Sequence, residues 1–163
     1  MLTRLVTAVA CSLAVAVVAV DGSGAQPRDS APVSCAEVVG YGRPPAYRQP
    51  LPAAAVPAAF LPNVGSDPAA APFTFWTKAG IVIRAGDSVT VAVAPNLAGV
   101  VRITWGGRSG TVIRFAACHT GATWNGYAGG FLARTPTVCV PLIVSAGRRH
   151  ARVMFGLGKR CSR

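Results

Sequence analysis

From Phe73 to the C-terminus, apolar and polar positions alternate with a period of two. Ile81 and Ile83 alternate with Val82 and Arg84, while Val89, Val91 and Val93 alternate with Ser88, Thr90 and Ala92. The same pattern recurs in Val101, Ile103 and Trp105, in Ile113, Phe115 and Ala117, in Val140, Leu142 and Val144, and in Ala151, Val153, Phe155 and Leu157. Successive strand residues point to opposite faces, so this period predicts half-buried strands. Turn-forming clusters "AGD", "PNLAG", "GGRSG" and "SAGRR" separate the runs. No run after Phe73 has the length and spacing of an amphipathic helix. About seven short strands at roughly ten-residue intervals predict an all-β fold, a two-sheet antiparallel sandwich of immunoglobulin-like type.

Composition divides the chain ahead of these strands. Residues 26–72 contain ten prolines in 47 positions and keep neither period for long, which predicts a Pro/Ala-rich extended arm. Cys35 in "SCAEVV" is the one residue there able to pin the arm to the body. Residues 1–25 have the form of a signal peptide: Arg4, then an unbroken apolar or small-residue run of 16 from Leu5 to Val20, then small residues suited to cleavage before Gln26. Cys11 lies inside that run and reads as one of its apolar residues. After cleavage no transmembrane span is expected, and residues 73–163 form the folded domain.

The four remaining cysteines are Cys35, Cys118, Cys139 and Cys161. An even number in an exported domain of this size predicts two disulfides with three possible connectivities. Pairing Cys118 with Cys139 would close a local excursion, and pairing Cys35 with Cys161 would tie the ends together. This is the expected connectivity. The closest two are 21 positions apart, unlike the tight pairs of a zinc site, so neither a metal nor a cofactor is expected.

Charge is the least ordinary property. From Gln26 onward there are 15 Lys and Arg against four acids, and from Ser88 onward ten cations and no Asp or Glu at all. Arg102, Arg114 and Arg152 fall on outward strand positions and are the candidate anion-binding residues. Their partners would be anionic cell-wall polymers or lipid head groups. Fourteen Arg against two Lys is also what a GC-rich genome writes at neutral positions, but that bias does not explain the missing acids. A dedicated nucleic-acid role is not expected, since no recognised motif is present.

Catalytic groups are sparse. The strand-rich region offers His119, His150 and Asp87, too few for paired carboxylates, and "GGRSG" is a hairpin loop and not a nucleophile elbow. The chain is therefore read as no enzyme, with a hydrolase built on Asp87 and a histidine as a distant alternative. "CHTGATWNGYAGGF", from Cys118 to Phe131, has two readings. Trp124 and Tyr127, with Trp76 from "FTFWTK", could form a stacking platform for a carbohydrate or small ligand. Alternatively Trp124 and Phe131 plug an end of the sandwich while the Tyr127 hydroxyl bonds backbone.

The set "AGDSVTVAVAP", "RFAAC", "YAGGF", "CVPL" and "FGLGKRC" resembles a group of uncharacterised secreted proteins of actinobacteria, over most of the mature chain. The resemblance implies export and a disulfide-bonded β domain; the group carries no activity to transfer. The expectation is an exported β-sandwich module associating with the cell envelope, secreted or wall-bound.

Overall fold

The computed structural model describes residues 31–162. The expected signal peptide and the first residues after it lie outside the described part. Fifteen strands form three five-stranded sheets, with no α-helix among the described residues. In chain order they are β1 (Gly40–Tyr41), β2 (Arg48–Leu51), β3 (Ala54–Val56), β4 (Phe60–Leu61), β5 (Gly65–Ser66), β6 (Phe75–Lys78), β7 (Ile81–Arg84) and β8 (Val89–Val93). There follow β9 (Val101–Trp105), β10 (Arg108–Gly110), β11 (Val112–Phe115), β12 (Trp124–Tyr127), β13 (Gly129–Ala133), β14 (Val138–Ala146) and β15 (Arg149–Leu157). The first sheet runs β11-β8-β14-β15-β4, the second β10-β9-β13-β6-β5 and the third β1-β12-β7-β3-β2. The all-β sandwich is present, in three hydrogen-bonded sheets where two were expected. An immunoglobulin-type strand order is a finer expectation that this pairing does not single out.

Three sheets share one core because two long strands change sheet midway. β6 and β7 face β13 and β12 in one unbroken antiparallel register, from Phe75 opposite Ala133 to Arg84 opposite Trp124. The ribbon bends at Ala79–Gly80, so one half pairs in the second sheet and the other half in the third. Strands that cross between sheets make the corners of a sandwich in this way. The indole N–H of Trp105 donates to the Ala79 carbonyl at 2.6 Å inside the core and holds the bend. Opposite it, a Cβ on Gly129 would overlap the Thr104 carbonyl oxygen, and one on Gly130 the Thr77 carbonyl oxygen. Only glycine allows the strands to approach so closely.

β10 and β11 form a second crossing. Gly106 and Gly107, with φ of 55° and 68°, make the two-residue loop after β9, as a type I′ hairpin requires. β10 then pairs with β9 in the second sheet and β11 with β8 in the first. The buried side chains from all three sheets form one cluster, in which Trp105 meets Phe131 edge-on at 5.8 Å, Phe131 meets Phe155 at 5.3 Å, and Phe115 meets Tyr127 at 4.8 Å.

Residues 31–72 are part of this body, which corrects the expectation of an extended arm. Val33 bridges Phe115 and is fully buried. β3 inserts between β7 and β2, burying Ala54, Ala55 and Val56. β4 and β5 complete the first and second sheets. The prolines misled because they break periodicity, not because they prevent pairing. A residue without an N–H is tolerated at a sheet edge, and four of this segment's five strands are edges; β3, which is interior, contains no proline.

The disulfides also differ from expectation: Cys35 pairs with Cys118 and Cys139 with Cys161. Strand pairing decides this. The Val33 bridge beside Phe115 and Ala116 leaves Cys35 and Cys118 with Cα atoms 5.4 Å apart. Cys139 lies opposite Gly156, and the chain after Leu157 folds back over Gly156, bringing Cys161 to 5.7 Å. Loop length alone carried no information about either approach.

Candidate functional site

Alternation places the sequence-predicted residues as follows. Tyr127 points inward with Ile81, is 2% exposed, and donates its hydroxyl to the Cys118 sulfur at 3.6 Å. Burial raises its pKa, so the hydroxyl stays protonated. It is a core residue and belongs to no ligand platform, which corrects that candidate. Its partner is the disulfide sulfur and not the backbone group of the structural reading. Neighbouring Asn125 is equally buried; its amide donates to the Cys118 carbonyl at 2.9 Å, and its side-chain oxygen accepts from the Thr120 hydroxyl. The segment from Cys118 to Phe131 is thus largely a corner of the fold, with Phe131 in the core.

The two remaining aromatic candidates are separated. Trp124 lies half-buried on the outer face of the third sheet, directly opposite Arg84. Trp76 is 40% exposed on the second sheet, its indole resting on Gly65 of β5. Trp76 and Arg84 are eight residue steps apart along the ribbon, up to about 26 Å.

The three arginine candidates are divided too. Arg102 stands on the second sheet, where it and Arg134 pack on the Phe73 ring at 4.9 and 5.3 Å. Arg114 and Arg152 share the outer face of the first sheet, on β11 and β15 with β8 and β14 between them. One cross-strand row there reads Arg114, Thr90, Ser145, His150, and the next Val112, Ala92, Ile143, Arg152. The three candidate anion-binding arginines therefore fall on two separate patches.

Other cations gather where the first and third sheets end together. The β14–β15 hairpin turns at Gly147–Arg148, with Gly147 at φ 55°, in the position a type II′ turn reserves for glycine. On one side of this tip is a recess of about 430 Å³ whose walls include Arg84, Arg149 and Asp87. On the other is one of about 480 Å³ that includes Arg114, Thr90 and Ser145. Gly147 borders both. Strand alternation alone does not mark Arg149, although "SAGRR" reads as a turn. A two-residue hairpin is the signal that would have put its arginines at a projecting tip.

His119 sits in a loop with its ring against Gly86, next to Asp87, and His150 lies on the outer face of the first sheet. Among the described residues no group of three or more His, Cys, Asp or Glu side chains is placed to hold a metal ion. No helix among them is long and apolar enough to cross a membrane. Comparison of the chain with protein-family models, curated proteins and solved structures found no match.

Proposed function

We propose that this chain is an exported, non-catalytic binding module that attaches to anionic polymers of the cell envelope through the cationic end of its sandwich. The observation that carries the reading is the convergence of Arg84, Arg114, Arg148 and Arg149 around the β14–β15 tip. No acid follows Asp87 in the chain. Asp87 itself borders one recess, so that recess keeps a net positive charge. Arg84 and Arg149 border one recess, and a polyanion bound there relieves the repulsion between like charges that share it. Two disulfides and a leader of signal type support an extracytoplasmic location.

The test is sedimentation of the disulfide-intact protein with isolated cell walls across a salt series. Binding that weakens steeply from low to physiological salt, and falls in Arg84→Ser/Arg149→Ser, supports the reading. Undiminished binding by that variant, or no binding at low salt, sinks it. Anionic vesicles in a parallel arm separate attachment to polymer from attachment to lipid.

A further inference from the structure

On the face away from the core, the ribbon bend leaves an open trough of about 520 Å³. Its floor is nearly free of side chains: Gly80 on one strand faces Ala128 and Gly129 on the other, with Gly126 beside them. The Tyr47 phenol lies across Gly80, so close that a Cβ there would stand 2.8 Å from its hydroxyl. Tyr41 forms another wall and is 67% exposed; Val39 beside it is 69% exposed. Two of the molecule's largest exposed apolar surfaces thus border one concavity, and solitary exposed hydrophobes would not converge in this way. Lys78 is the one charged residue on its walls. Its ammonium lies over the exposed Trp76 ring, 6.0 Å from the centroid, with no carboxylate among the trough's lining residues, and the position opposite, Gly130, has no side chain. Glu37, Asp67 and Asp87 lie elsewhere.

We infer that this trough binds an amphiphilic monoanion: an alkyl or aryl body along the glycine floor between Tyr41 and Tyr47, and one carboxylate or phosphate head on Lys78. Its volume is that of a small-ligand site. The chemistry favours such a ligand over a sugar, because the walls offer only two phenols and one ammonium as polar side chains, and a sugar ring needs a partner for each hydroxyl. Burial raises the Tyr47 pKa and keeps that phenol a donor for the head or an adjoining ester oxygen. This site is separate from the cationic end and does not depend on the function proposed for it.

The experiment is calorimetric titration of the intact protein with dodecanoate and with monododecyl phosphate. Dodecanol and dodecylammonium serve as controls. Saturable one-to-one binding of either anion is expected, with the tighter of the two identifying the natural head group. Lys78 and Tyr41 are exposed, so Lys78→Gln and Tyr41→Ala leave the fold intact. Lys78→Gln should weaken anion binding about ten-fold, as loss of a charge-assisted contact does, and leave dodecanol unchanged. Tyr41→Ala should weaken all chain-bearing ligands. Arg84→Ser/Arg149→Ser should change nothing, which separates this site from general attraction to a basic protein. Equal affinity for dodecanol and dodecanoate, an unaltered Lys78→Gln variant, or no saturable binding would overturn the inference.

Discussion

The segment from Ala31 to Pro72 and the strands from Phe73 onward build the same sandwich by different means. The later strands are long, β-branched and alternating, and β14 and β15 pair over nine residues each. The earlier strands are two to four residues long and interrupted by proline. They succeed because they do not have to start a sheet. Each is laid against a strand already specified: β1 on β12, β3 on β7, β4 on β15, β5 on β6. Side chains and backbone reinforce the docking, as in the Thr77 hydroxyl donating to the Asn63 carbonyl at 2.8 Å and the Gly156 N–H to that of Ala59 at 2.7 Å. Weak local preference is sufficient where a partner edge is already in place. Pro141 is the reverse case, a proline inside a long central strand. It is accommodated where the β8 ladder has ended at Val93, its own carbonyl accepting from Ala94.

The contrast is most open to attack at the ribbon bend. Gly129→Ala should cost more than about 4 kcal/mol, because the added methyl overlaps the Thr104 carbonyl and the backbone must separate. Gly40→Ala on edge strand β1 meets nothing within 4 Å and should change stability by less than about 0.5 kcal/mol. Urea denaturation of both variants measures the difference, and similar losses would remove the distinction between a formative ribbon and an added edge.

Next in size are the disulfides. Cys35→Ser/Cys118→Ser opens a linkage of 83 residues and Cys139→Ser/Cys161→Ser one of 22. The chain-entropy relation then gives losses of about 4.5 and about 3.4 kcal/mol. Denaturant midpoints check the order, and mass mapping of unreduced peptides checks the connectivity itself.

A smaller effect tests whether the proline-rich segment is core. Ala54→Leu enlarges a fully buried side chain between β2 and β7 and should cost about 1–3 kcal/mol through overpacking. A neutral result would return β3 to the periphery.

The smallest effect is pH-dependent. Burial holds the Tyr127 phenol above its ordinary range; the folded state therefore prefers the neutral form. Its contribution is complete below the unfolded value of about pH 10 and is lost as pH rises through the higher folded value. Tyr127→Phe should remove that part of the alkaline decline, and should cost about 1 kcal/mol at neutral pH through the lost hydroxyl contact. Thermal midpoints measured from neutral to alkaline pH distinguish the two slopes.

The later strands were legible from residues alone. Val89, Val91 and Val93, or Val140, Leu142 and Val144, carry a period that has only one physical meaning, and all six are buried as their parity requires. Inward Phe75 and outward Trp76 in β6 follow the same rule less completely, since Phe75 is only half-buried. The aromatic loop was not legible, because parity across a turn is undefined until the register is known. That register turned Tyr127 inward and left Trp124 beside Arg84 on the outside.

The sequence by itself determined that the chain would be all-β, where most long strands would run, which of their faces would be buried and how unevenly charge would be distributed. These properties rest on local alternation and on counting. Only the tertiary structure decided which strands meet, and with that the two disulfides, the incorporation of residues 31–72, the recess shared by Arg84 and Arg149 and the trough at Lys78. Each depends on pairing between distant segments, and such pairing follows from the packing of one shared core, which no local pattern encodes.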